Sequence, residues 1–348
     1  MKLGKVAATV VVAMTLVAPA ASAAPDGSGV RRVEYSLGDR AFQVPGFLTG
    51  PDGTVADLEL TAVVHAPRTL VGKRPLMMLA HGYWESCVNK VEQWPCPAGD
   101  PFPSYRGYDY LGEELARQGF VVVSVSANGI NAGITGQISD VARAALMNKH
   151  LEMWRDLNDG TGPLVERLHG FQGHVDLTNV GTLGHSRGGR GVVYQASDQH
   201  VSELPRGVRI RAVLPLAPAG YYRPDPDAPQ NLDYRITKIP FAVVTGDCDS
   251  ASMPTQAPMY IANALGRNEV PFHQVTPRRA NHNFFNTEWS YDHDNFCTPG
   301  PTLTPEQQRK IATTYVSAFF QQYLNGRNNP IVSEGNRGVD VVTHRPVR

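Results

Sequence analysis

Short apolar runs recur along this chain with helix-spaced segments between them, and that alternation constrains the fold more than any other feature. Residues 75–80 (PLMMLA), 120–125 (FVVVSV), 180–183, 212–216, 241–245 and 272–275 are brief, continuous and apolar. Runs of this length and character read as strands buried on both faces. Between them, residues 108–118 (YDYLGEELARQ), 141–157, 191–196, 256–265 and 305–324 carry helical spacing. The last segment has a full set of end signals: Thr304 as N-cap, Pro305 at the first helical position and Gly326 beyond the end. The expected fold class is therefore α/β, with a mostly parallel central sheet and helices on both faces. An antiparallel start precedes it, because residues 31–67 read as short strands with turns. Within that start, 57–64 alternates as one half-buried strand should.

Domain organisation follows from composition along the chain. Lys2 and Lys5, the apolar run 6–18 and Ala21-Ser22-Ala23 form the three parts of a secretory signal. The run is shorter than the ~20 residues a membrane span needs, so residues 1–23 are expected to be cleaved. Residues 24–326 read as one domain, with no internal repeat and no second composition regime. Residues 327–348 are polar, and the expectation is a surface-draped or frayed tail. The 32 acidic and 32 basic side chains balance, which gives no electrostatic reason to expect nucleic acid or a membrane surface as partner. The expected location is secreted.

Export changes how the four cysteines read. An even number in an oxidising compartment suggests two disulfides. Of the three possible connectivities, Cys87–Cys96 with Cys248–Cys297 is favoured, because its first bridge closes a short loop. A zinc site is poorly supported, since no C-x-x-C pair exists. Tyr291-Asp292-His293-Asp294 reads as a solvated loop rather than a metal cluster.

One strand leads into a special turn. Gly184-His185-Ser186-Arg187-Gly188 follows the run 180–183 and precedes a helical segment. Gly-x-Ser-x-Gly at a strand-to-helix junction is the pattern that lifts a serine hydroxyl out of a sheet as a nucleophile. Such a serine needs a base and an orienting acid, and in this architecture they follow in the order serine, acid, histidine. Of His200, His273, His282, His293 and His344, His282 lies in a loop after a late strand and before the closing helix. It is the expected base, with His293 as the second candidate. The acid belongs after the strand 241–245, where Gly246-Asp247-Cys248-Asp249 offers Asp249 and, as alternative, Asp247. The oxyanion donors are expected to be the backbone N–H groups of Arg187 and of Tyr83, in the His81-Gly82-Tyr83-Trp84 stretch. His81 is read as bracing that loop.

These residues carry a resemblance. The chain resembles secreted serine hydrolases of the α/β-hydrolase superfamily over roughly residues 75–324. HGYW is similar to the oxyanion loop of that family, and GHSRGG to the elbow of chlorophyllase-like, dienelactone-hydrolase-like and polyester-hydrolase-like esterases. GDCD resembles the family's Gly-x-x-Asp acid loop, which supports Asp249, and ANHNFFN resembles its histidine loop. The resemblance implies the α/β-hydrolase fold and a carboxylic ester hydrolase that works through an acyl-enzyme, without metal or organic cofactor. A small-molecule or polymeric ester is the implied substrate. A peptidase or amidase with the same triad, and a non-catalytic binding protein of this fold, are the competing readings. Trp84, Trp94, Phe102, Tyr105, Tyr108 and Tyr110 either bind an apolar group near the site or pack the core. The proline-rich stretch 218–232 sits where a lid would lie.

Overall fold

The computed structural model describes residues 29–347, apart from 51, 98, 224–229, 252, 290–296 and 298–301. The expected signal segment 1–23, His293 with its acidic neighbours, and the middle of the 218–232 stretch lie outside the described residues.

Nine strands form one sheet in the spatial order β1-β4-β6-β5-β7-β8-β9-β10-β11. They are β1 (Val30–Ser36), β4 (Thr61–Pro67), β5 (Arg74–Ala80), β6 (Val121–Val125), β7 (Val175–His185), β8 (Ile210–Leu216), β9 (Ala242–Val244), β10 (Phe272–Pro277) and β11 (Val339–His344). The block from β6 through β10 is parallel, and β1, β4 and β11 pair antiparallel at its flanks. A separate hairpin joins β2 (Phe42–Leu48) to β3 (Val55–Leu58). The class is α/β with a mostly parallel sheet, as the run pattern predicts.

Strand β5 shows why both faces must be covered. Successive side chains point to opposite faces, so Leu76, Met78 and Ala80 join one apolar layer and Met77 and Leu79 the other. The first layer packs against α3 (Gln137–Asn158), α4 (Arg187–Ala196) and α5 (Met253–Ala264); the second packs against α1 (Asp109–Arg117) and α6 (Pro305–Asn325). Helix α6 begins with a capping box between Thr304 and Gln307, has Pro305 in its first turn and ends on Gly326 at φ 67°. A cap of this kind stabilises a helix by about 1 kcal/mol. Two shorter helices, α2 (Asn128–Asn131) and α7 (Ile331–Glu334), complete the set.

Two expectations are corrected. The stretch 57–64 is not one strand: it breaks between Leu58 and Thr61, leaving the hairpin and entering the main sheet. At the break, the buried Glu59 carboxylate accepts from the backbone N–H groups of Asn128 and Gly129, so the chain changes sheets around a satisfied acid. The tail is not frayed either. After α7, β11 adds to the sheet edge in register with β10, with Val339 opposite Pro277 and His344 opposite Phe272. Arg278 clasps Asp340 across this pair, and the His344 ring stacks on Phe272 at 4.5 Å. A strand that is only half apolar is stable there because an edge faces solvent along one side.

Candidate active site

The carboxyl ends of the parallel strands carry the candidate residues. Strand β7 ends at His185, and α4 starts at Arg187, so the chain reverses within one residue, Ser186. Ser186 has φ 56° and ψ −121°, a conformation that non-glycine residues rarely adopt. Such strain persists only where surrounding structure enforces it. Here the Ser186 N–H donates to the Leu216 carbonyl at 2.9 Å, and its carbonyl accepts from Gly189 at 2.9 Å and Ala219 at 3.1 Å. A Cβ on Gly184 would run into the Gly188 carbonyl, so the flanking glycines are required by close approach.

The second loop lies against this turn. A Cβ on Gly82 would stand 2.5 Å from the Ser186 Cβ and 2.9 Å from the His185 carbonyl oxygen. No other residue lets the 81–84 stretch come so near. Among the described residues, neither the Tyr83 nor the Arg187 backbone N–H is engaged by a carbonyl. For Arg187 this is the orphan donor of a helix start.

A buried polar network holds that loop from behind, and sequence reasoning had found only its histidine. The Ala127 N–H donates to His81 Nε2 at 2.8 Å, so His81 carries its proton on Nδ1 and donates to the Gly82 carbonyl at 2.8 Å. Asn131 Nδ2 donates to the carbonyls of Gly82 and Trp84. Arg143, buried in α3, donates to the His81 carbonyl at 3.2 Å and to Asn131 Oδ1 at 2.5 Å. Burial holds the Arg143 guanidinium down to about 9, and burial with the nearby Arg143 charge holds His81 down to about 3. His81 therefore braces the loop as a neutral ring. Burial also raises the Glu59 carboxyl, which anchors α2 and through it Asn131.

On the other side, His282 follows β10, and Asp249 follows β9. His282 Nδ1 lies 3.0 Å from both Asp249 oxygens, and both side chains are almost fully buried. A carboxylate accepts only, so Nδ1 bears the proton and Nε2 is the nitrogen left to receive one. Asp247 is exposed and its carboxylate accepts from the Arg279 N–H; it braces the turn and does not touch His282. The geometry separates the two aspartates that loop position had left open. Cys248 is bonded to Cys297, and Cys87 to Cys96. Because both Cys248 and Cys297 are oxidised, their cluster with Asp247 offers no thiolate to a metal.

His185 has a role the motif did not announce. Its Nε2 can only donate to the His282 carbonyl at 3.0 Å, so its Nδ1 accepts from the Tyr108 hydroxyl at 2.9 Å. Stacking on Trp289 at 4.8 Å fixes the ring, and burial holds its pKa well below the usual histidine range. The residue before the serine thus holds the backbone of the candidate base. Its variable place in Gly-x-Ser-x-Gly gave no signal for this. Two other histidines weighed from sequence lie elsewhere: His200 bonds Glu203 and Asp233, and His273 bonds Thr343 and Tyr323.

Ser186 and His282 line one cavity of about 530 Å³ with Tyr83, Trp84, Arg187 and Asn283. Of the six aromatics in the 84–110 stretch, only Trp84 lines it. Tyr108 and Tyr110 are structural, the latter donating to the Phe285 carbonyl, and Trp94 donates to the Asp39 carbonyl. Gly220, from the 218–232 stretch, also reaches the cavity wall. A wider groove of about 730 Å³ between α1 and α6 is lined mainly by polar side chains, with neither histidine nor cysteine among the described residues there. No helix among the described residues is long and apolar enough to cross a membrane. A scan against protein-family models finds no match, and a search of curated proteins finds none at a significant level.

Proposed function

We propose that the protein is a secreted serine hydrolase of the α/β-hydrolase type that cleaves carboxylic esters through an acyl-enzyme. The observation that carries this reading is the pairing of His282 Nδ1 with Asp249 in a cavity shared with a strained Ser186. A buried carboxylate that fixes the Nδ1–H tautomer supplies what a serine base requires. The strand order, with a parallel block opened by an antiparallel pair, supports the fold type. The two disulfides support export to an oxidising compartment.

In this reading His282 Nε2 takes the Ser186 proton as the hydroxyl oxygen attacks the ester carbonyl. Asp249 stabilises the imidazolium that forms. The N–H groups of Tyr83 and Arg187 receive the negative oxygen, and two donors aimed at that point lower the barrier most where water is excluded. His282 returns its proton to the leaving alcohol, and water then frees the acyl group by the same steps.

The test is turnover of a short-chain p-nitrophenyl ester by the purified mature chain. Ser186→Ala and His282→Ala are each expected to lower kcat by at least about four orders of magnitude. Near-normal turnover by Ser186→Ala overturns the reading. Hydrolysis of amide substrates at a comparable rate would replace the esterase by an amidase on the same residues.

A further inference from the structure

We propose that the cavity selects an ester that itself bears a carboxylate, and that the Arg187 side chain is the group that recognises it. This rests on the hydrolase reading above.

Among the described residues, the Arg187 charge has no ion-pair partner. The Arg187 guanidinium lies 4.0 Å above the Tyr83 ring, and the Tyr83 hydroxyl is tied to Glu92 at 3.0 Å. The cation is therefore held by its face, which leaves its N–H edge to point elsewhere. No described residue offers that side chain a hydrogen bond or an ion pair, although it is half-buried on the cavity wall. Of the other charges on the wall, among the described residues Glu92 has only the Tyr83 hydroxyl, and the rest are ion-paired. Arg190 is paired with the buried Asp140 at 2.9 Å, and Tyr234 donates to the same carboxylate at 2.7 Å. Glu85 meets Lys90 at 3.3 Å.

Arg190 adds to the positive charge around Arg187, while Asp140 and Tyr83 act against it. Burial lowers the Arg187 pKa first, and the Arg190 charge lowers it further. Arg143 stands behind, fully buried, and it too is acted on by Arg187 and Arg190. Asp140 offsets part of this, but it is already shared by Arg190 and Tyr234. A partly desolvated cation with no ion-pair partner among the described residues is unfavourable, and an anion in the cavity relieves it. Arg187 directly follows Ser186, so its side chain stands beside any acyl group that reaches the serine. A half-ester of a short dicarboxylic acid places one carbonyl at Ser186 and its free carboxylate within the cavity. A planar carboxylate takes two parallel N–H bonds from the guanidinium edge. A cation that is merely solvated would not discriminate between substrates by charge.

The experiment compares mono-p-nitrophenyl glutarate with p-nitrophenyl valerate on the full mature chain with both disulfides intact. The readout is the ratio of their kcat/KM values, because the backbone N–H of residue 187 serves every ester alike. The wild type is expected to favour the carboxylated ester by about ten-fold or more, a margin set by one charge-assisted bidentate contact. Added salt should shrink the margin. Arg187→Met should remove it mainly through KM, Arg187→Lys should keep part of it, and Arg187→Glu should invert it. Glutarate dianion should inhibit the wild type more strongly than its neutral diamide, a comparison that needs no variant. A wild-type ratio near one, or an unchanged ratio in Arg187→Met, overturns the proposal. Ser186-dependent hydrolysis of valerate with no charge preference overturns this proposal alone. Turnover of either ester that survives Ser186→Ala overturns the hydrolase reading and this inference with it.

Discussion

The two halves of the candidate site are held in different ways. The Ser186 turn and the 81–84 loop sit on β7 and β5, neighbours in the middle of the parallel block; backbone hydrogen bonds fix the turn, and the His81, Asn131 and Arg143 side chains brace the loop from behind. Three hydrogen bonds pin Ser186, and a Cβ on Gly82 would overlap the Ser186 side chain. Asp249 and His282 ride on loops after β9 and β10, nearer the sheet edge, and side chains and a covalent bond hold them. His185 grips the His282 carbonyl, Gln308 of α6 exchanges two hydrogen bonds with Asn281, and Cys248–Cys297 ties the acid loop to the segment after the base. One half is built into the sheet. The other is fastened to it near the edge, so it is the half that loss of the Cys248–Cys297 bridge should loosen.

Several substitutions can break or sharpen that contrast. The largest effect after loss of Ser186 or His282 is expected from Asp249→Asn, about 10⁴ in kcat, because an amide no longer fixes the Nδ1–H tautomer. Asp247→Asn should change kcat only a few-fold, since that carboxylate meets the Arg279 N–H and not the histidine; equal effects at both positions would overturn the assignment. Next comes Gly82→Ala. Its methyl would collide with the Ser186 side chain and displace the Tyr83 N–H, with an expected loss of about 10²–10³ in kcat, the range seen when one oxyanion donor is lost.

The disulfides separate the two halves directly. Cys248 and Cys297 are 49 apart in sequence, and Cys87 and Cys96 are 9 apart. Chain entropy then makes the longer closure worth roughly 1–1.5 kcal/mol more. Replacing the long bridge with serines should lower both Tm and kcat, while replacing the short one should lower Tm less. A reversed order, in parallel melting curves and turnover assays, would contradict the view that the acid–base half depends on its staple.

How much of this was legible in the sequence depended on whether a residue's role is local. Ser186 and His282 could be named because a turn motif and a chain order mark them. Asp249 could only be preferred, since two aspartates flank Cys248 and the choice turns on which one reaches the ring. Glu59, Asn131, Arg143 and His185 gave no signal, because each stands alone in sequence and only the strand order assembles them. The break at Glu59 was hidden because the alternation of apolar and polar residues continues through it. The tail was misread for a related reason: β11 is only six residues long, and its three valines are a weak signal among the polar residues around them. The aromatic cluster could be read either way from sequence, and the fold divides it: of its six rings only Trp84 lines the cavity.

The smallest effect concerns acid stability. Burial depresses His81 and His150 to about 3, and His65 to about 4 with added repulsion from Arg32. Their unfolded forms take up a proton near pH 6.5. Below that pH the unfolded state binds more protons, so the stability these groups lend is full above about 6.5 and is lost as pH falls toward 3–4. The slope of Tm against pH should flatten in His150→Gln. An unchanged slope would mean that this ring is protonated in the fold.

The central claim is that Ser186 is an activated nucleophile. Its most direct test is reaction of the mature, disulfide-intact chain with a fluorophosphonate probe, with the adduct mapped by mass spectrometry. The account predicts a single adduct on Ser186 that disappears in His282→Ala. A folded protein that takes no label, or one that labels equally without His282, would contradict it.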